Sequence, residues 1–327
     1  MKNIVIIGGG TGTSTLLSGL KKYPAHLSVI VPSWDDGGSN GRLRFELDSF
    51  PYSDARQCLV ALAEGDKTIK RLFDYRFSQG SVSGHTVANL MLAALEKITG
   101  APDQAIAVAE RLLKTKGDVL PVTLKPTVLS AVYRGGKKVI GEHNIDEPKG
   151  NLELRIKNLE LKPKAIANPK AIKAISRADV IIFGPGDLHT SILPNLLVKG
   201  VAQAIFKSKA KKILVTNIMT KHGQTDGFKA SDFVKEVSGY LGKSKLDFVI
   251  TNDKKPSQEW LKRYKAEKGE FVWPDISEIA SKKIKVFADN FLADYAFFNG
   301  PGDKLKRSLL RHNSEKLSKT IWQLISR

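Results

Sequence analysis

Cysteine is nearly absent from this sequence, since Cys58 is the only one among 327 residues. A single thiol excludes an internal disulfide framework and fits a reducing cytoplasm, where we expect the protein to reside. Long hydrophobic runs are also missing, because the apolar stretch near the N-terminus, residues 4–7, ends at a glycine after four residues. We therefore expect neither a signal peptide nor a membrane-spanning segment.

Acidic residues are few relative to basic ones, with 33 Asp and Glu against 52 Lys and Arg and a formal net charge of +19. The basic residues are scattered, and they form no block interleaved with aromatic residues that would indicate a nucleic-acid partner. We interpret the excess as a solvated basic surface that attracts small anionic ligands. The 42% hydrophobic content predicts a packed globular core.

The stretch that organises the chain is a short buried strand at residues 4–7, followed by a glycine-rich turn and a helix. The turn consists of Gly8, Gly9, Gly10, Thr11, Gly12 and Thr13. A strand, a glycine turn and a helix N-terminus in this order present backbone N–H groups and a positive dipole end to an anion. We expect Thr13, Ser14 or Thr15 to cap the helix.

This glycine turn meets neither the dinucleotide fingerprint G-x-G-x-x-G nor the Walker motif. It therefore predicts a phosphate site without specifying the nucleotide. The structural alternative is a turn that only packs the helix against the sheet.

A second glycine-rich loop follows the next predicted strand, residues 27–31. Its candidate ligand-binding residues are Asp35, Asp36, Gly37, Gly38, Ser39 and Arg42. An acid at this place holds a ribose in Rossmann-type sites, and it could equally coordinate a divalent cation bound to a diphosphate. Arg42 is suited to bind phosphate.

Two pairs of polar residues in the following helices are further candidates for ligand contacts. Asp54 and Arg56 lie near the start of a helix capped by Ser53 or Asp54, and a local salt bridge is their structural alternative. His85 and Asn89 are four residues apart, so we expect them to share one helix face. A lone histidine is more often a packing residue, and no spacing here indicates a zinc site.

Residues 119–165 break the alternating pattern of strands and helices. Two short stretches, Val128–Tyr133 and residues 152–156, together with glycine and proline between them, predict a small β-rich insertion of antiparallel hairpins. We find no chemical constellation in it, and its role would be a lid or a surface for self-association. Residues 1–118 and 166–327 then form the main nucleotide-binding domain.

The α/β pattern resumes with a helix at residues 169–178 and a strand at 179–183. The next loop contains Gly184, Gly186, Thr190 and Ser191, and Pro194 places the helix start at Thr190 or Ser191, which predicts a second anion site. A strand at 212–216 leads to Asn217, Thr220 and Thr225, which are candidate ligand contacts. Strands at 246–252 and 282–287 follow, and we expect the final helix to begin near residues 312–314.

Together these elements predict an α/β fold, a Rossmann-like, mostly parallel sheet flanked by helices, with the β-rich insertion between its halves. The candidate loops all leave from the carboxyl ends of strands, so we expect them to converge on one crevice. None contains a nucleophile paired with a base.

Six motifs in order resemble the gluconeogenesis factor family, also called YvcK-like, within the CofD-like superfamily. They are GGGTGTSTLLSGL, SWDDGGSNGRLR, DARQCLVALA, FDYRF with SGHTVANLMLAAL, GPGDLHTSILPNLL and NIMTKHGQTDGFKASD. The resemblance implies a cytoplasmic regulator that binds a UDP-sugar such as UDP-N-acetylglucosamine and supports cell shape and envelope synthesis on gluconeogenic carbon. In such a regulator the first glycine loop, Thr190 and Ser191 would hold the phosphates. Asp35 or Asp36 would hold ribose or sugar hydroxyls, and Arg42 would offset the negative charge of the ligand.

The superfamily enzyme, 2-phospho-L-lactate transferase, implies an alternative. The chain would then move phospholactate from a nucleotide diphosphate onto a deazaflavin, with Mg²⁺ held by Asp35, Asp36 or Asp54. The detail of the motifs favours the regulator. The protein could also form a homo-oligomer. The family usually has Ser, Tyr and Glu where this chain has Asp187, His189 and Gln224.

Overall fold

In a computed structural model of the chain, which describes residues 1–148, 155–294 and 309–326, seven strands form one parallel sheet. The strands are β1 Lys2–Ile7, β2 Ala25–Val31, β3 Asp118–Pro121, β4 Val128–Tyr133, β5 Lys138–Ile140, β6 Ile156–Lys162, β7 Val180–Phe183, β8 Lys211–Val215, β9 Phe248–Asn252 and β10 Lys285–Asp289. The order in the main sheet is β10-β9-β8-β7-β1-β2-β3. The predicted fold class is confirmed.

Helices cover both faces of this sheet. They are α1 Gly10–Leu20, α2 Gly38–Leu47, α3 Ser53–Leu62, α4 Lys67–Asp74, α5 Val87–Thr99, α6 Pro102–Leu113, α7 Glu142–Asp146, α8 Pro169–Arg177, α9 Leu193–Leu197, α10 Val201–Lys207, α11 Ala230–Leu241, α12 Gln258–Ala266, α13 Ile276–Ala280 and α14 Ser314–Ile325. Within the described ranges, none of them is long and apolar enough to cross a membrane.

The central strand β1 divides the core into two layers. Its alternate residues point to opposite faces, so Val5 and Ile7 join one hydrophobic cluster while Ile4 and Ile6 join the other. A strand buried on both faces must be apolar at every position, which is why the sequence of this strand reads as a continuous hydrophobic run.

The β-rich insertion forms a separate antiparallel sheet in the order β5-β4-β6. Strand β4 has the predicted bounds, whereas residues 152–154 of the second predicted stretch lie outside the described residues. The start of the insertion differs from the expectation, because β3 pairs in parallel with β2 and belongs to the main sheet. Val119 is buried there, so the short strand contributes to the main core.

Helix starts were predicted less well than strands. Helix α1 begins at Gly10 without a side-chain cap, and the hydroxyls of Ser14 and Thr15 donate to the carbonyl of Thr11 instead. Helix α2 begins at Gly38, within the stretch that the sequence predicts as a glycine-rich loop.

Three further helix starts also differ from the predictions. Helix α3 begins at Ser53 without a side-chain cap, so neither Ser53 nor Asp54 is its N-cap. After β7 the chain first makes a π-helical turn, Leu188–Ile192, ahead of the predicted start. His85 precedes the Thr86 cap of α5 and therefore shares no helix face with Asn89.

The C-terminal helix α14 packs closely against α1. Its start near residue 314 is as predicted, and the side chain of Asn313 accepts a hydrogen bond from the N–H of Lys316. A Cβ atom added at Gly19 of α1 would lie 2.3 Å from the carbonyl oxygen of Ser314 and 2.3 Å from the Ser318 hydroxyl. Glycine at position 19 is therefore required by the approach of the two helices.

We expect Gly19→Ala to lower the free energy of unfolding by about 1–3 kcal/mol, because the added methyl group forces α14 away from α1. The matched control is Gly239→Ala in α11, where a Cβ meets nothing within 4 Å. This control should raise the free energy of unfolding by roughly 0.5–1 kcal/mol through helix propensity. Urea denaturation measures both, and equal effects of the two substitutions would contradict the packing argument.

Candidate functional site

The glycine turns after β1 and β7 meet where the strand order reverses. From β1 the chain continues to β2 and β3 on one side, and it later returns to β7 on the other. Thr13 of α1 donates its hydroxyl to the carbonyl of Pro185 at 3.1 Å, and a Cβ at Gly12 would lie 2.6 Å from the same oxygen. Ligands of open parallel sheets bind at such a switch point.

The backbone at the start of α1 is exposed to this crevice. Gly10 has a φ of +68°, a left-handed conformation that glycine adopts without strain. The N-cap of α1 is Gly9, and the first residues of the helix line the crevice. A helix start presents backbone N–H groups and the positive end of its dipole to an anion. The Asp54 carboxylate lies against the same turn, because a Cβ at Gly9 would be 2.2 Å from its Oδ2 atom.

A cavity of about 530 Å³ occupies this switch point. The predicted site residues that line it come from the loops after β1, β2, β7 and β8 and from the start of α3. They are Gly9, Gly10, Thr11, Gly12, Asp35, Gly37, Asp54, Gly186, Thr190, Ser191, Asn217 and Thr220. These loops therefore converge on one crevice, as expected.

The remaining predicted site residues lie outside the lining. They are Gly8, Thr13, Asp36, Gly38, Ser39, Arg42, Arg56, His85, Asn89, Gly184 and Thr225. Gly8, Thr13 and Gly184 shape the two turns, since a Cβ at Gly8 would lie 2.7 Å from the Thr13 hydroxyl and Gly184 has a φ of +75°. Thr225 holds the loop after β8 by accepting a hydrogen bond from the N–H of Lys221 at 2.8 Å.

The predicted polar residues around α2 contact one another instead of the cavity. His85 Nδ1 and Asn89 Nδ2 lie 2.8 Å and 3.1 Å from the buried Ser39 hydroxyl. Arg42 donates to the carbonyl of Ser83 at 2.6 Å, which keeps its guanidinium on the loop before α5. These side chains join α2 to α5.

Two charged residues have structural partners that explain their position. Arg56 is buried and pairs with Asp74 at 2.5 Å, a partner that the sequence analysis did not name. Asp36 accepts a hydrogen bond from the backbone N–H of His143 at 2.8 Å. Asp36 thus anchors the insertion to the loop after β2, while its neighbour Asp35 lines the cavity.

The insertion contributes site residues that the sequence analysis missed. Its short helix α7 places Glu142, His143 and Asp146 in the cavity lining. Asp146 accepts hydrogen bonds from Lys221, from Thr190 at 3.4 Å and from Gln224 at 3.1 Å. The expectation that the insertion carries no chemical constellation is therefore wrong, since α7 covers the cavity.

The C-terminal part of the chain also reaches the cavity. Residues of the loop after β8, Ile218 to His222, form one wall together with Tyr264, Glu267, Gly269 and residues 309–312. The sequence carried little sign of this, because these segments lie far from the glycine turns along the chain and have no distinctive motif. Only the polar end of β8 pointed to this region.

Burial and crowding of carboxylates set the protonation states around α7. Burial raises the pKa of Asp35 to about 6. Hydrogen bonds from Gly37 and Asn40 act in the opposite direction and offset part of this rise. Burial also raises the pKa of Glu142 well above its usual range, with the negative charges of Asp146 and Asp35 acting in the same direction. The cavity thus contains carboxyl groups that hold protons more tightly than free carboxylates do.

A lysine in the cavity lining partly offsets this negative charge. Burial disfavours the charged form of Lys221, yet the carboxylates of Asp146 and Asp187 raise its pKa above the usual range. Lys221 lies 2.9 Å from Asp187. Asp187 is therefore paired with a cation of the same cavity.

A preformed metal centre is absent from the described residues, where no three His, Cys, Asp or Glu side chains are spaced to hold an ion. Asp35 already accepts hydrogen bonds from the Gly37 N–H at 2.9 Å and from Asn40 at 2.7 Å. Mg²⁺ usually binds through one or two carboxylates and substrate phosphates. Asp35 and Asp54 suit that mode, whereas Asp36 is turned toward the insertion.

We expect the contribution of Asp35 to the free energy of unfolding to fall as the pH rises from about 4 to about 6. Over this range the folded protein keeps a proton on Asp35 that the unfolded chain releases, because the pKa of Asp35 is raised on folding to about 6. Asp35→Asn removes this titration, so above pH 7 it should gain on the order of 1–3 kcal/mol relative to wild type. Urea denaturation across pH 4–8 measures the difference in free energy of unfolding between Asp35→Asn and wild type. A difference that stays constant over this pH range would contradict the titration of Asp35.

Comparisons with known proteins agree with this architecture. The sequence matches the family described as 2-phospho-L-lactate transferase CofD over residues 4–292. A Thermotoga maritima protein named "Putative gluconeogenesis factor" is 45% identical, covering 97% of this chain and 98% of its own. The gluconeogenesis factor of Bacillus subtilis is 37% identical and covers 98% of both chains.

A solved structure shows the same fold. The crystal structure of a UPF0052 family member from Bacillus halodurans superposes with a TM-score of 0.89 at 37% identity, covering 98% of both chains. Similarity of this extent and over this length is found between members of one family. The chain therefore belongs to the CofD family, in which it groups with the gluconeogenesis factors.

Proposed function

We propose that this protein is a regulator that binds a nucleoside diphosphate sugar in the switch-point cavity, with UDP-N-acetylglucosamine as the first candidate. In this role it supports cell shape and envelope synthesis during growth on gluconeogenic carbon. The relatives named gluconeogenesis factor support this proposal, because they match nearly the whole chain.

The observation that carries the proposal is the glycine-rich start of α1, where two glycine turns touch. Gly10, Thr11 and Gly12 begin the helix and line the cavity, so backbone N–H donors of a helix N-terminus lie beside it. A diphosphate satisfies several such donors at once and gains from the helix dipole. The cavity volume of about 530 Å³ lies within the range typical of small-molecule sites.

The nucleophiles near this cavity support a binding role over covalent catalysis. Among the described lining residues, the hydroxyls of Ser53, Thr190, Ser191 and Thr220 are not hydrogen-bonded to a histidine. Cys58 is fully buried, and burial raises the pKa of its thiol well above the usual range. A thiol that stays protonated is a poor nucleophile.

A transferase is the second candidate function, and the match to the family described as 2-phospho-L-lactate transferase favours it. In that reaction Mg²⁺ would supply charge neutralisation at the diphosphate. The acidic side chains facing the cavity, Asp35 and Asp54, would hold the ion. Phospholactate transfer to a deazaflavin needs no protein nucleophile, so the lack of a serine–histidine pair does not separate the two candidates.

Thermal unfolding against a panel of nucleotides distinguishes the candidates. Under the regulator proposal, UDP-N-acetylglucosamine at one hundred times its Kd adds roughly 2.7 kcal/mol to the free energy of unfolding. A response to GDP with Mg²⁺ and a deazaflavin, without a response to the UDP-sugar, would contradict the regulator proposal. UDP and N-acetylglucosamine alone serve as controls for the two halves of the ligand.

We expect Gly10→Ala to weaken UDP-N-acetylglucosamine binding at least tenfold, because alanine strains the left-handed backbone at Gly10 and disturbs the first-turn donors. The matched control is Gly100→Ala at the end of α5. Gly100 has a similar φ of +76°, and a Cβ there meets nothing within 4 Å. Both variants should lose roughly 1–2 kcal/mol of stability.

Isothermal titration calorimetry measures the affinities of these two variants, and circular dichroism confirms their folding. The control should bind with wild-type affinity. Wild-type affinity in Gly10→Ala would remove the glycine turn from the binding site.

A further inference from the structure

The phosphate argument does not use the side of the cavity that the insertion forms. The short helix α7 places Glu142, His143 and Asp146 in the lining on this side. The helix is held by the rest of the protein, because the N–H of His143 donates to Asp36 at 2.8 Å and Ile145 is fully buried in the core. Side chains on a helix that is held in this way keep a defined position, as a recognition site requires.

The carboxyl groups of Asp146 and Glu142 differ in what they contact. Asp146 is occupied by donors of the protein itself, since Lys221, Gln224 and Thr190 all donate to its Oδ1 atom. Glu142 has neither a hydrogen bond nor an ion pair within the described part of the chain. The carboxyl group of Glu142 is therefore available to a ligand, whereas that of Asp146 already has three partners.

The oxygen atoms of Glu142 can be reached from the cavity. They are not among the unpartnered side-chain atoms of the described residues that have lost their accessible surface, and the side chain as a whole is half-buried. Protein nevertheless surrounds the group, since burial is the main cause that raises the pKa of Glu142 well above its usual range. A carboxyl group that is enclosed by protein and yet accessible opens onto the cavity that it lines.

The charges around Glu142 indicate which part of a ligand it suits. The negative charges of Asp146 and Asp35 raise its pKa in addition to burial, and Lys221 acts in the opposite direction without cancelling the rise. Crowded acids repel a diphosphate, which gains instead from the N–H groups and the dipole at the start of α1. A hydroxyl group is neutral and both donates and accepts hydrogen bonds, as a protonated carboxyl group does.

A bound cation is the alternative partner for a carboxyl group without a hydrogen bond. A cation site needs ionised carboxylates, whereas Glu142 holds its proton more tightly than a free carboxyl group does. The residues that the structure describes also offer no group of three His, Cys, Asp or Glu side chains that could hold a metal ion. A hydroxyl group therefore fits Glu142 better than a metal ion does.

We infer that α7 forms the subsite for the sugar of the nucleotide sugar, and that the Glu142 carboxyl group hydrogen-bonds to one of the sugar hydroxyls. This inference rests on the proposed function and adds to it the orientation of the ligand and the residue that recognises the sugar. The diphosphate lies at the start of α1, and the sugar extends toward the insertion. The insertion thus selects ligands by their sugar, while the glycine turns bind the diphosphate.

The test compares UDP with UDP-N-acetylglucosamine by isothermal titration calorimetry, since the ratio of the two affinities measures the contribution of the sugar. Wild-type protein should bind the UDP-sugar at least about tenfold more tightly than UDP. Glu142→Ala should reduce this preference about tenfold and leave the affinity for UDP within about twofold of wild type. Glu142→Gln should keep most of the preference, because an amide also donates and accepts hydrogen bonds.

Deoxy analogues of the ligand identify the contacted group. Among analogues of UDP-N-acetylglucosamine that lack the 3-, 4- or 6-hydroxyl of the sugar, one should bind wild type about tenfold more weakly than the parent ligand does. The same analogue should bind Glu142→Ala as well as the parent ligand does, because the carboxyl partner of the hydroxyl is already gone. Equal losses in both proteins for every analogue would contradict the contact with Glu142.

The matched control is Glu236→Ala in α11. Glu236 is also half-buried, burial also raises its pKa, and it does not line the cavity. This variant should keep the wild-type preference for the UDP-sugar over UDP. Thermal unfolding without ligand measures the folding of all three variants.

The outcomes separate this inference from the proposed function. Equal binding of UDP and UDP-N-acetylglucosamine by wild type, or a wild-type preference in Glu142→Ala, would overturn the sugar subsite and leave the diphosphate site standing. A loss in Glu142→Gln as large as in Glu142→Ala would overturn the hydrogen bond from a neutral carboxyl group. A wild-type protein that binds neither ligand would overturn the proposed function and the sugar subsite together.

Discussion

The close contact between two glycine turns at the switch in strand order is the constraint on which the rest of the structure depends. Gly12 packs against the carbonyl of Pro185 with no room for a Cβ atom, and Thr13 donates a hydrogen bond to the same oxygen. This contact fixes the start of α1 relative to β7. The first residues of α1 consequently line the cavity, with the Asp54 carboxylate against the same turn.

Acidic side chains outnumber lysine and arginine in the cavity lining, which is unexpected for a phosphate site. The structure reduces the charge in two ways. Burial and neighbouring carboxylates raise the pKa of Glu142 well above its usual range, and Lys221 pairs with both Asp146 and Asp187. Asp146 belongs to the insertion and Lys221 to the loop after β8. Their ion pair therefore links the insertion to the main domain.

The strands and the convergence of their loops were predictable, because a parallel sheet needs continuous apolar strands and places its loops at one edge. Helix α2 was not, since its glycines and mixed charges obscure helical periodicity. The helix α7 and His312 were missed for a different reason. Each is distant along the chain from the glycine turns and acquires its position only through tertiary packing. Local sequence carries no record of such proximity.

A crystal structure with UDP tests the central claim most directly. The account predicts diphosphate oxygens within hydrogen-bond distance of the backbone nitrogen atoms of Gly10, Thr11 and Gly12 at the start of α1. A diphosphate bound elsewhere, with this first turn left without a ligand, would contradict the account even if the protein binds UDP tightly.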